Sequence, residues 1–323
     1  MLKFFAKRFG ILLFTLLVVS FLVFLTFEFS PTDIARSALG QFATDKQLEL
    51  YRIEHCLEWP FLQRYLSWLG LAPNCAGEVN GIFQGYFGYS YQYRTDVDVF
   101  IWDRLGNSAV LALVAFAVIA PLSIVLGVAA GMREGSTLDR LVSLFSTITT
   151  SVPEFGTGAI LLTIFVVWLK VLPGTAPLED SGGWSIASQM VLPVATLTAY
   201  YLGYLVRMVR ASMVEVMTRP YIRTAVLKGL SFPAVVIKHA MRNALITPFT
   251  AILLQLNFLF TSVVVVEAVF GFPGFGRMLV QASLRGDVAT VEAASLFAVL
   301  VVVISQVMGD FVYMLLNPRI RFA

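Results

Sequence analysis

The chain has 323 residues, 58% of them hydrophobic and only 13% charged, with a formal net charge of +3. Charged residues stand at about half the ~25% usual in a soluble domain, and a chain of this length cannot hide so much apolar surface behind a polar shell. This excludes a soluble globular enzyme, a disordered chain and a disulfide-dense secreted module. Nucleic acid is not an expected partner, and an integral membrane protein in contact with the lipid bilayer is left.

A spanning helix needs about 20 mostly apolar residues. Six stretches qualify, at about 9–29, 106–131, 141–170, 186–206, 244–266 and 290–316. Their apolar runs are continuous and not alternating, which fits helices and not a transmembrane barrel. Pro153 and Glu154 interrupt the third. Lys3, Lys7 and Arg8 ahead of the first imitate a signal peptide, but the run is too long for a cleaved segment and no small-x-small site follows. It reads as an uncleaved first helix. The expected fold is all-α and integral to the membrane, with six transmembrane helices. The expected divisions are 1–29 (N-terminus and first helix), 30–105 (a loop domain between helices 1 and 2) and 106–323 (a five-helix core with an inside loop at 207–243). No internal repeat is visible.

Orientation follows from Lys and Arg. With a cytoplasmic N-terminus, most of the 23 basic residues fall inside, from Lys3 to Arg321. Arg36, Lys46, Arg52, Arg64, Arg94, Arg104, Lys170, Arg277 and Arg285 fall outside, on much longer segments. Both termini are then cytoplasmic. The outside loop collects acids from Asp33 to Asp103. It also carries Trp59, Trp68 and the Tyr-rich stretch 85–93, so it is expected to fold.

Cys56 and Cys75, the only cysteines, lie in that loop. Even number and location favour a structural disulfide, which would contribute on the order of 3 kcal/mol; two free thiols are the alternative.

The inside loop contains RPYIRTAVLKGLSF from residue 219. Tyr221, Ile222, Ala225, Val226, Gly229 and Leu230 recur at the spacing of one helical face, with Arg219, Arg223 and Lys228 off that stripe. Pro233 suggests the stop. A short amphipathic helix is expected. It would either rest on lipid headgroups or dock in a partner's groove.

YIRTAVLKGLSFPAVVIKHAMRNALITP (221–248) resembles the signature loop of bacterial ABC importer permeases of the oligopeptide/dipeptide/nickel type. There the pattern commonly reads Y-x-R-T-A-x-x-K-G-L, then R-H-x-x-R-N-A. Tyr221, Arg223, Thr224, Ala225, Lys228, Gly229 and Leu230 match it, followed by His239, Arg242, Asn243 and Ala244. CLEWPFLQRYLSWL (56–69) and GYFGYS (85–90) resemble the family's outside-loop segments. VVVVEAVFGFPGFG (263–276) resembles its V-V-V-E-x-V-F-x-x-P-G-L-G. NPRIR (317–321) resembles the end of the first of its two paired permeases. Departures are Tyr86 for Asp, Val226 and Leu227 for Arg-Ala, Thr261 and Ser262 for Gly-Gly, Phe275 for Leu, and Asn317 for Asp.

The resemblance implies a type I ABC importer permease in the bacterial inner membrane, with a periplasmic loop domain and no catalytic or metal site. This chain would bind no cofactor; ATP and Mg would sit in two partner ATPase subunits. A second homologous permease would complete the pore, and a periplasmic substrate-binding protein would deliver a peptide or related solute. Tyr221, Arg223, Thr224, Ala225, Lys228, Gly229 and Leu230 would form the ATPase-coupling helix. Independently, the chain has no G-x-x-x-x-G-K-S/T loop, so energy must come from elsewhere.

Polar residues inside spans are functional candidates, or hydrogen-bond helices to one another. Gln255, Asn257, Thr261 and Ser262 mark a translocation path along span five. Glu154 sits in span three, and Ser305, Gln306 and Asp310 in span six. Glu267 and Asp310 also suit structural roles near span ends. Glu267, Phe270, Pro273 and Gly274 form a candidate periplasmic gate or lip, since Pro and Gly enforce an irregular segment. The competing class is an ion-coupled secondary transporter, which would need coupling charges at mid-membrane.

Overall fold

A computed structural model describes residues 2–29, 34–40, 42–179 and 183–316; the NPRIR segment lies outside the described residues, as do the side chains of Lys3, Lys7, Asn257 and Asp310. Contacts divide the chain into two units, residues 1–107 with 274–307, and residues 108–273 with 308–323. This differs from the chain-order division at 106. The stretch after Pro273 packs with the loop domain, because its buried face matches apolar residues there.

In the first unit, α1 (Leu2–Glu28) is apolar on all sides, and Phe14 and Leu17 are exposed on it, as expected of a helix clothed by lipid. Next come α2 (Ile34–Leu39), α3 (Asp45–Glu54) and α4 (Phe61–Leu69). A capping box starts α3: Gln47 N–H donates to Thr44 Oγ1, and the Gln47 side chain returns to the Thr44 N–H at 2.9 Å. The core under α2 and α3 is Ala35, Leu48 and Tyr51. Burial, then the Tyr91 hydroxyl and the Asp287 charge, push the Tyr51 hydroxyl far above the ordinary tyrosine range. Ser20 of α1 and Tyr65 of α4 share a buried hydrogen bond of 2.7 Å, flanked by edge contacts of Phe21 with Phe61 and Tyr65. Cys56 and Cys75 are joined by a disulfide with Cα atoms 5.9 Å apart.

A two-stranded hairpin, β1 (Tyr89–Ser90) against β2 (Thr95–Asp96), leads into α5 (Val97–Gly131), which begins well before the expected residue 106. Val97 and Ile101 of α5 pack on Phe275, Met278, Ala293 and Phe297.

In the second unit, the third span is two helices. α6 (Thr137–Ser151) and α7 (Glu154–Leu162) meet at 105°. Pro153 ends the ladder because it has no N–H to donate. After α7 the chain passes into a π turn at Thr163–Trp168. α8 (Ile186–Met217) extends eleven residues beyond the expected 206. Its basic tail hid that continuation from a hydropathy reading.

α5 and α8 pack closely through Gly127 and Gly131, spaced like a small-xxx-small seam. A Cβ on either glycine would lie 2.5 Å from the Cβ of Val209 or Met213 respectively. Arg210 of α8 holds Asp139 of α6 with a bond of 2.8 Å to Oδ2, and the Gly135 N–H donates to the same oxygen.

The inside segment is helical almost throughout. α9 (Pro220–Leu227) is followed by α10 (Phe232–Ala234), a π turn at Val235–Ala240 and α11 (Met241–Ala244). α12 (Ile246–Phe270) bends by 48° around residue 257. After it come α13 (Phe275–Arg285) and α14 (Val288–Leu316), the latter apolar enough to span. By length and composition, the described residues contain four continuous spans, or up to six if each bent pair counts as one.

Candidate translocation path and coupling surface

Three of the polar residues on the expected path have described side chains, and their surroundings differ. Thr261 is exposed, Gln255 half-buried and Ser262 buried. Asn257 lies at the α12 bend, with its side chain outside the described residues. Ser262 faces α8, where its Oγ lies 2.7 Å from the Tyr201 hydroxyl. Glu154, at the start of α7, lies near Ser262. Tyr201 and Ser262 thus join α8 to α12, while Glu154 Oε2 is buried and without a hydrogen-bond partner. Unpaired acceptors at membrane depth are costly, so this carboxylate is primed for a donor. Glu154 and Ser262 are separately conspicuous as intramembrane polar residues. Tyr201 is not, because an aromatic residue in YYLGY looks like ordinary span composition.

The expected lip is better described as the packed end of α12. Glu267 is fully buried and accepts from Ser108 Oγ; Phe270 is 1% exposed. The Phe270 carbonyl takes the Ala176 N–H at 2.9 Å, and the Glu267 carbonyl takes the Phe272 N–H at 3.0 Å. Gly271, at φ 63°, closes the helix in the left-handed region. Pro273 is half-buried, and Gly274 caps α13. The irregular segment is therefore short. α13 went unread in the sequence, although Gly274 and Gly286 bracket an apolar pattern at Phe275, Met278, Leu279 and Ala282.

The inside helix is shorter than expected. α9 stops at Leu227, and Gly229 (φ 77°), not Pro233, turns the chain. A Cβ on Gly229 would meet nothing within 4 Å, so the glycine serves backbone conformation and not close packing in this chain. Ile222 and Ala225 are buried against Val128, Val209, Met213, Val235 and Val236. The rest of the predicted stripe turns outward, with Val226 and Leu230 53% and 42% exposed, and Leu227 beside it is 79% exposed. Tyr221 is exposed and its hydroxyl accepts from Asn243 Nδ2 at 3.0 Å. Thr224 bonds back to the Pro220 carbonyl. Arg223 and Lys228 are exposed, and no ion pair among the described residues includes either. Arg133 stacks over Phe232 beside this surface. The result is an apolar patch with two unspent positive charges, held firmly from behind.

A bundle of bent and continuous spans with such a surface is the architecture of a transport permease. Two family models cover nearly the whole chain. Residues 123–322 match the binding-protein-dependent transport system inner membrane component, and residues 1–112 match the N-terminal part of such membrane components. The chain belongs to this family. A protein of Brucella abortus (strain 2308) named as a peptide transport system permease is 34% identical over 95% of both chains. The glutathione transport system permease protein GsiC of Escherichia coli O1:K1 / APEC is 32% identical over the full length of both. The di/tripeptide transport system permease protein DppB of Pseudomonas aeruginosa (strain UCBPP-PA14) is 30% identical over 99% of both. Among solved structures, the inward-facing MetNI methionine ABC transporter has a chain with the same fold. It matches with a TM-score of 0.50 and 22% identity, covering 67% of this chain and 94% of that one. The protein is a multi-pass inner-membrane permease of the ABC importer class, and is not itself catalytic.

Proposed function

We propose that this chain forms one half of the path of an ATP-driven importer for peptides or a related small solute. The observation that carries the reading is the α9 surface: Val226 and Leu227 exposed between Arg223 and Lys228, with Leu230 exposed just beyond, on a helix anchored by Ile222 and Ala225. An apolar face flanked by unpaired cations suits a groove with an acidic rim. In this reading two ATPase subunits bind ATP and Mg and supply the groove. A second homologous permease completes the pore, and a periplasmic binding protein brings the solute. In this reading both termini lie in the cytoplasm, which the distribution of Lys and Arg supports. Relatives named for peptide, di/tripeptide and glutathione transport support a peptide-like solute.

Gln255, Asn257, Thr261 and Ser262 line the path, joined by Glu154 and Tyr201, while Glu267, Phe270, Pro273 and Gly274 form its periplasmic end. The Glu154 carboxylate suits the ammonium end of a peptide. The test is reconstitution in liposomes of the chain with its co-purifying subunits. Peptide accumulation that requires both ATP and the binding protein is expected. Uptake by the chain alone, driven by an ion gradient, would replace this reading with a secondary transporter.

A further inference from the structure

The loop-bearing unit encloses a cavity of about 660 Å³ that the transport reading leaves unused. That volume falls in the range of small-molecule sites, roughly 300–1,000 Å³, and exceeds what one inserted side chain would fill. Asp287 and Glu292 line it, each only 6% exposed. Asp287 Oδ2 is held by Ser90 Oγ and, at 2.8 Å, by Thr290 Oγ1. Its Oδ1 is buried with no hydrogen-bond partner, and so is Oε1 of Gln92, which lines the same cavity.

The lining cations do not answer these acceptors. Arg64 is committed to Glu28 and to the Trp59 carbonyl at 3.2 Å, and Arg285 is exposed. The lining is also aromatic. Tyr51 stacks on His55 at 3.9 Å, Tyr91 meets Tyr51 edge-on at 5.7 Å, and Tyr89 meets Tyr91 at 5.2 Å. The Tyr91 hydroxyl is fixed 2.9 Å from His55 Nε2. Buried acceptors without donors, in a cavity that is also lined by aromatic rings, call for a ligand with positive charge and several N–H groups.

We propose that this cavity is a binding site for a small organic cation, an alkylammonium or guanidinium compound, whose N–H donors meet Asp287 Oδ1 and Gln92 Oε1 and whose body lies against Tyr51, Tyr89 and Tyr91. The site needs neither the ATPases nor the path, so it stands or falls separately from the transport role.

The test is calorimetric titration of the full chain in neutral detergent, with L-argininamide as the cationic probe and N-acetylglycinamide as the uncharged one. Argininamide is expected to bind saturably at one site and acetylglycinamide not at all. Asp287→Asn should weaken argininamide by about tenfold or more, the usual scale for losing a charged hydrogen-bond partner. Asp287 also anchors Ser90 and Thr290, so Tyr89→Ala serves as a second variant. Tyr89 is exposed at the rim, and its removal should weaken binding several-fold at an unchanged melting temperature. Equal binding of the two probes would overturn the proposal, as would argininamide binding undiminished in both variants.

Discussion

Tyr201 and Ser262 bring their side-chain oxygens to 2.7 Å across the contact between α8 and α12, and Glu154 lies near Ser262. The pair ties the two helices together. A double-mutant cycle separates it from its surroundings. Tyr201→Phe and Ser262→Ala should show a favourable coupling of about 0.6–1.7 kcal/mol in unfolding experiments in mixed micelles, the scale for hydrogen bonds between membrane helices. Additive effects would mean that the two hydroxyls do not support each other.

Glu154→Gln keeps the shape and removes the charge. If the carboxylate receives a cationic part of the solute, peptide uptake should fall tenfold or so, as for other charge-assisted contacts, while ATPase subunits still co-purify. Uptake of N-acetylated peptides should suffer less than uptake of free peptides. Equal losses for both would assign Glu154 to helix packing.

The α9 surface and its underside predict opposite defects. Leu227 is 79% exposed, so Leu227→Asp should leave the melting profile within about 0.5 kcal/mol of the parent yet abolish co-purification of the ATPase subunits. Ala225 is buried against the chain's own core, so Ala225→Arg should lower the yield of folded protein before any partner is added. Co-purification of the Leu227→Asp chain at parental level would remove α9 from the coupling role.

Gly127→Val places a branched side chain where a Cβ alone would lie 2.5 Å from Val209. Overpacking of this kind costs about 1–3 kcal/mol. A lower melting temperature in detergent is expected, with Gly106→Val as the control, since a Cβ on Gly106 meets nothing within 4 Å.

Cys56→Ser with Cys75→Ser should destabilise the loop-bearing unit by about 3 kcal/mol, from the closure of the 19-residue separation. Reductant should lower the melting temperature of the parent chain and leave the double variant unchanged. The same response in both would show that the bridge contributes no stability.

Some of this was legible from the sequence because the cause is local. Pro153 breaks the third span whatever surrounds it, and the spacing of Ile222 and Ala225 marks the buried face of α9. The continuous apolar runs locate the spans, since lipid demands length and hydropathy alone. Other features depend on distant partners. That Tyr221, Val226 and Leu230 turn outward follows from Val235 and Val236 folding beneath α9, which no window of α9 contains. Tyr201 meets Ser262 only once α8 and α12 have packed. The end of α8 was missed because Arg207 and Arg210 depress hydropathy, although Arg210 is anchored to Asp139 and belongs to the helix as firmly as the apolar turns before it.

The burial of Ile222 and Ala225 has a mechanical side. They seat α9 against Val128 of α5, against Val209 and Met213 of α8, and against the turn that leads into α12. A short rod bolted at once to two long beams and the turn beside them cannot swing freely as a tether would. A push on its outer face would be shared among them, as a tappet moves several valves from one cam.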